Sequence, residues 1–108
     1  MPVIIAVSID PKDSGSHNSM DYYLVDAGIS MEHVILAATD LGLGTCWISG
    51  FDEATVKKIL EVPASVRVVA MTPLGYPALL SEKNKTMREF VKASQKKPLE
   101  EIVHREKW

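Results

Sequence analysis

The sequence predicts an α+β fold, a small mixed or antiparallel sheet flanked by helices, and three observations carry that prediction. Two short runs rich in β-branched residues, Val3–Ile9 and residues 66–72, have the length and composition of strands. Between them, residues 20–43 repeat apolar side chains at helical spacing. Glycine and proline clusters then divide the chain into short elements. At 108 residues it is long enough for one domain, residues 1–108, with a small core.

Val3–Ile9 is an apolar run, expected to form a strand buried on both faces. Residues 10–18, with Pro11, Gly15 and several serines, read as a polar, mobile loop. Over residues 20–43, Ala27, Met31, Val34, Ile35, Ala38 and Leu41 share one helical face, while Asp26, Ser30, His33 and Asp40 mark a more polar side. Gly28, Ala37 and Ala38 are small enough to admit another backbone, and Gly42 or Gly44 is the expected C-terminal stop.

Residues 45–49 follow as a short strand. Asp52 is the expected N-cap of a helix running to about Leu60, with Pro63 ending it. Residues 66–72 form the third strand, and Pro73-Leu74-Gly75-Tyr76-Pro77 is a turn cluster. Helical spacing returns over residues 83–95 at Met87, Phe90 and Val91. Pro98 then starts a last helical turn reaching His104, with Glu100 and Glu101 near its positive end. There is no internal repeat and no low-complexity segment.

The net charge is −2, which argues against a general binder of nucleic acid or of anionic membranes. Its distribution is uneven: residues 81–108 carry eight Lys/Arg against five Glu, so a basic tail follows an acidic body. No apolar run reaches membrane-spanning length. The opening stretch, Met1-Pro2-Val3-Ile4-Ile5-Ala6-Val7, is too short for a signal peptide and lacks its basic lead. Cys46 is the only cysteine, so no internal disulfide can form, which fits a reducing cytoplasm.

The chemistry-bearing residues are few. Cys46 has no neighbouring His in sequence, and its apolar strand favours a buried, inert thiol over a nucleophile. His17, His33 and His104 are scattered without metal-ligand spacing, so no metal site is expected. Glu100 and Glu101 are adjacent, which points them to different helix faces and not into an acid/base pair. Gly42-x-Gly44 follows a helix where a dinucleotide fingerprint follows a strand, and the third glycine is missing. Trp47 reads either as a core or interface aromatic or as a wall of a ligand pocket. Beside it, Gly50 exposes main chain just ahead of a new helix, an arrangement suited to a flat ligand whose polar edge is read by backbone N–H groups. Lys96 and Lys97 read by default as part of a solvated charge run, with a phosphate contact as the alternative.

Five pieces, in order, resemble the FMN-dependent nitroreductase family: the opening strand; Asp26-Ala27-Gly28 through Leu36-Ala37-Ala38; Leu41-Gly42-Leu43-Gly44-Thr45-Cys46-Trp47-Ile48-Ser49-Gly50-Phe51; Leu74-Gly75-Tyr76-Pro77; and the end from Lys97-Pro98-Leu99 to Trp108. The resemblance covers nearly the whole chain but only the back half of a typical member. It implies that Trp47, Ile48, Ser49 and Gly50 lie against the flavin ring, with main-chain N–H groups near N5, and that Lys96, or next Lys97, contacts the FMN phosphate. The family's front half carries an Arg-rich "R-R-S-x-R" phosphate segment and an Asn/Ser-containing segment at the ribityl chain and ring, and neither is present here.

The resemblance further implies a homodimer with FMN at its interface, NAD(P)H as electron donor, and a small nitro or quinone acceptor. The flavin performs the redox step, so no acid/base side chain is obligatory. Two other readings accompany this one. The chain is a non-catalytic dimeric remnant or interaction module, or it is one half of a split flavoenzyme whose N-terminal half is a separate chain.

Overall fold

A computed structural model describes residues 3–78, 89 and 97–106. The helix expected over residues 83–95, apart from Glu89, and the phosphate candidate Lys96 lie outside the described residues. The chain divides into two compact units, Met1–Pro77 and Ala78–Trp108.

In the first unit, β1 (Val3–Ile9), β4 (Gly44–Thr45) and β5 (Arg67–Gly75) form a three-stranded sheet in the order β1-β5-β4, antiparallel throughout. The long helix α1 (Tyr23–Asp40) packs on all three strands, and the shorter α2 (Glu53–Ile59) packs on β5. Strand alternation explains the core. Val68, Ala70 and Thr72 point to one face of the central strand and are buried. The buried α1 residues Ala27, Met31 and Ala38 supply the matching layer. Between Val7 and Ser8 the register moves from Val7↔Ala70 to Ser8↔Val68, so Val69 is an extra residue that bends the ladder.

β1 is not buried on both faces, contrary to the sequence expectation: Val3 and Ile4 are 57% and 66% exposed. For Ile4 the reason is the short cover on the second face. There Val56, Ile59 and Leu60 at α2 line an open apolar cleft of about 240 Å³ with Ile4, Ala6 and Met71. Val3 shares the α1 face with Ile5 and Thr72 but stands at the start of the strand.

The expected mobile loop at residues 10–18 is instead organised. Asp10 caps a 3-10 turn at Pro11–Asp13 by accepting from the Lys12 N–H. β2 (Ser16–His17) and β3 (Met20–Asp21) then form a hairpin. Asn18 and Ser19 make its two-residue tip at φ +52° and +60°, the primed turn that suits strand twist. Because Met20 and Asp21 belong to this hairpin, α1 starts at Tyr23 and not at residue 20.

α1 ends as expected at Gly42, whose φ of +72° lets the Gly42 N–H reach Thr39 O at 3.0 Å and the Leu43 N–H reach Ala38 O at 2.8 Å. Gly28 has no atom within 4 Å of an added Cβ, so among the described residues no backbone approaches it. Asp52 does cap α2, accepting from the Thr55 N–H at 3.0 Å and from the Thr55 hydroxyl. That helix stops before Pro63: Glu61 turns left-handed at φ +54°, and the Val62 N–H bonds to Lys57 O at 2.9 Å.

In the second unit a short helix, Leu99–Ile102, follows Pro98, with Glu100 and Glu101 in its first turn as the sequence suggests. Lys97 lies just ahead of it and is exposed.

Candidate functional site

The segment from Gly44 to Glu53 runs along one edge of β5 and arches away from it. Gly44↔Gly75, Thr45↔Leu74 and Ile48↔Met71 all keep one register, yet Cys46 and Trp47 drop out of the ladder. Pro73 explains the gap. Met71 exchanges both backbone hydrogen bonds with Ile48, at 2.8 and 2.9 Å. Alternation then aims the Pro73 nitrogen at the same edge, opposite Cys46, and proline has no hydrogen to donate. Thr72 bridges the break. Its buried hydroxyl accepts from the Cys46 N–H at 3.0 Å and donates to the Pro73 carbonyl at 3.0 Å.

Released from the ladder, Cys46 and Trp47 turn to solvent, and the Trp47 residue is 43% exposed. This corrects the expectation of a buried thiol: Cys46 sits exposed at a broken sheet edge. Ile48 is half-buried where it pairs with Met71, while Ser49 and Gly50 are exposed. Among the described residues, the N–H groups of Trp47, Ser49 and Gly50 have no acceptor. A Cβ added at Gly50 meets nothing within 4 Å, so packing among the described residues does not require glycine there.

The far end of the arch is fastened by Glu53. Its carboxylate accepts from Arg67 Nε at 2.9 Å, from Arg67 Nη2 at 3.0 Å and from the Val68 N–H at 3.0 Å. Arg67 Nη1 also lies 3.5 Å from the Tyr23 hydroxyl, which brings the start of α1 into the same cluster. The Arg67 hydrogen bond, followed by that of Val68, holds the Glu53 carboxyl below its ordinary value, and Glu53 in turn raises Arg67. Asp52 is lowered too, chiefly by the Thr55 hydroxyl.

Of the residues singled out in the sequence, Trp47, Ile48, Ser49 and Gly50 thus lie together on one exposed arch. Lys97 belongs to the second unit, and Lys96 is not among the described residues. Sequence reasoning missed Thr72, Glu53 and Arg67. Pro73, read as turn material, is the signal that a strand ladder would be broken there. Nothing in the spacing of Glu53 and Arg67 announces their pairing.

Comparison with known proteins gives a consistent result. The sequence pattern of the nitroreductase family matches residues 1–76. A protein of Archaeoglobus fulgidus, provisionally described as an NADH dehydrogenase/NAD(P)H nitroreductase, is 30% identical over 108 aligned positions, covering 96% of this chain and 56% of that protein. The crystal structure of a nitroreductase family protein from Clostridium novyi NT is 47% identical with a TM-score of 0.67, covering 68% of this chain and 42% of that one. An FMN-dependent nitroreductase from Clostridium difficile R20291 shares the fold at 20% identity and a TM-score of 0.66, covering 97% of this chain and 57% of that one. The chain therefore spans about half the length of the proteins it resembles.

Proposed function

This chain belongs to the nitroreductase family, and from that premise we propose that its Trp47–Gly50 arch forms one wall of an FMN site in an NAD(P)H-dependent oxidoreductase. The observation that carries the reading is the run of N–H groups at Trp47, Ser49 and Gly50 that have no acceptor among the described residues, on exposed residues that include a tryptophan. These are donors suited to the polar edge of a flat ring, and the open space at Gly50 lets such a ring come close to the main chain.

When bound, FMN supplies the redox chemistry, taking electrons from NAD(P)H and passing them to a nitro or quinone acceptor. The chain's part is to hold and tune. N–H groups at Ser49 and Gly50 stabilise negative charge on the ring edge they face, and the Trp47 side chain limits water there. Lys96 and Lys97 are the proposed cationic contacts to the phosphate. The same reading includes a homodimer. Val25, Ile29 and Leu36 leave an exposed apolar stripe on α1, and a second copy would cover it. Among the described residues no helix is long and apolar enough to cross a membrane.

The absorption spectrum of the purified chain tests the reading. Flavin bands at near-stoichiometric level, present on purification or after FMN addition, support it; a chain that stays colourless with excess FMN defeats it. Colour appearing only with a second polypeptide favours a split flavoenzyme, for which the partial coverage of the relatives is the supporting observation. Gly50→Val should weaken FMN at least tenfold by placing a branched side chain in the open space, and unchanged affinity in a titration would remove the arch from the site.

A further inference from the structure

The arch is longer than the gap it spans. On β5, Val68 and Met71 are three residues apart, about 10 Å along an extended strand. The five steps from Ile48 to Glu53 allow up to about 17 Å of chain. That leaves slack for the chain to bow from the sheet edge, where Ser49 and Gly50 are exposed. Within the arch, the Phe51 N–H to Ser49 O contact at 3.1 Å is the one backbone bond among the described residues. The shape is therefore set by where the two ends are fixed. The near end is fixed by the paired Ile48–Met71 bonds and the Thr72 hydroxyl. At the far end, Glu53 stands at the first turn of α2, yet its carboxylate reaches back to Arg67 and Val68 on β5. A carboxylate matched by a guanidinium fork and a main-chain N–H resists rotation far better than one point contact.

We propose that Glu53 is a positioning residue for the candidate flavin wall: by fastening the far end of the arch to Arg67 and Val68, it aims the Ser49 and Gly50 N–H groups. The assignment of those groups to a flavin rests on the proposed function; the fastening itself does not. Glu53 touches no ligand in this scheme. Glu53→Gln keeps the shape and an acceptor oxygen for Val68 but loses the charged match to Arg67. Arg67→Gln removes the same match from the other side.

The test uses the isotope-labelled full chain without flavin, followed by FMN titration. Backbone order parameters at Ser49, Gly50 and Phe51 are expected to sit at about 0.8 in the wild type and fall below about 0.6 in Glu53→Gln. The FMN dissociation constant should rise at least tenfold. Val7→Ala, a change in β1 on the opposite side of β5 from the arch, serves as a destabilised control that should leave both readings at wild-type level. The double variant should loosen the arch no more than either single one, because both break the same contact. Should Glu53→Gln not fold, Arg67→Gln carries the same readings. Unchanged order parameters in a folded variant overturn the proposal, as does equal loosening by Val7→Ala. A chain whose arch loosens as expected but which never takes up FMN upholds the fastening and defeats the flavin reading. A folded Glu53→Gln chain that binds FMN as tightly as the wild type and keeps wild-type order parameters at the arch defeats the fastening and leaves the flavin reading standing.

Discussion

Under α1 the centre of the sheet is sealed: Ala27, Met31, Ala70 and Thr72 are all at 0% exposure. Under α2 the other face of the same strands stays open, with Ile4 at 66% and Ile59 at 71% exposed. The difference follows from helix length. Eighteen residues of α1 lay a continuous stripe along the strands, whereas seven residues of α2 reach only part of them. One face therefore carries most of the burial in this unit, and the other stays largely open to solvent. The candidate site lies at the edge between the two, which is why its main chain is accessible at all.

The sharpest test of that contrast is a pair of truncations. Met31→Ala removes a fully buried side chain and leaves a cavity in the sealed layer. It should lower stability by about 2–5 kcal/mol, a large share of a small domain's total. Ile59→Ala, on the open face, should cost under about 1 kcal/mol, since most of that side chain never left water. Chemical denaturation of both variants measures the gap. Comparable losses would mean that the α2 face is covered in solution, which dilution of the sample would then reveal as a concentration-dependent midpoint.

Thr72→Val asks whether the sealed face also holds the site edge in place. The substitution preserves volume but strands the Cys46 N–H and the Pro73 carbonyl, both served by the one hydroxyl. A loss of about 1–3 kcal/mol is expected. Faster amide exchange at Cys46 and Ile48 should accompany it, with the β1 amides following only the global change. A loss spread evenly over all amides would show that Thr72 acts as packing and not as a bridge.

How much of this was legible beforehand depends on where the deciding interaction sits. Gly42 as a helix stop and Asp52 as a cap are local decisions within a few residues, and both were readable. The α+β class followed from two β-branched runs and one helical period, because those patterns are also local. The exposed state of Cys46 was not readable. It depends on Pro73 facing it across the sheet, twenty-seven residues away and on the far side of α2. The β2–β3 hairpin was missed because Asn18 and Ser19 lack the glycine that usually marks such turns. At the site, the Trp47–Gly50 run stood out through its glycine and tryptophan, while the groups that fix its shape, Thr72, Glu53 and Arg67, are common residues whose roles exist only in three dimensions.

Acid should separate the two ends of the arch. Glu53 and Asp52 both have folded carboxyl values below their ordinary ones of 4.5 and 3.8. Folding therefore favours their charged forms. Their stabilisation is fully present above those ordinary values and is lost as pH falls through the lower, folded ones. Thermal melting followed from pH 6 to pH 2 should show the midpoint falling below about pH 4.5, with a shallower fall in Glu53→Gln. Thr72 carries no titrating proton, so the Cys46 end should keep its amide protection until the whole fold gives way.

The smallest expected effect compares the two helix ends. α1 closes on Gly42 at φ +72° and α2 on Glu61 at φ +54°, and both use the same reach-back bond from two residues past the last turn. Glycine adopts that conformation without a steric penalty; glutamate does not. Glu61→Gly should therefore stabilise the chain by up to about 1 kcal/mol, the relief of backbone strain exceeding the added freedom of the unfolded chain. Gly42→Ala should destabilise by a similar or larger amount, because a Cβ enters where the backbone is already left-handed. Denaturation midpoints of the two variants, moving in opposite directions, would place the strain at the end of the helix that covers the open face. A neutral Glu61→Gly would mean that α2 frays at that end in solution, and that even its partial cover of Ile4 and Met71 is intermittent.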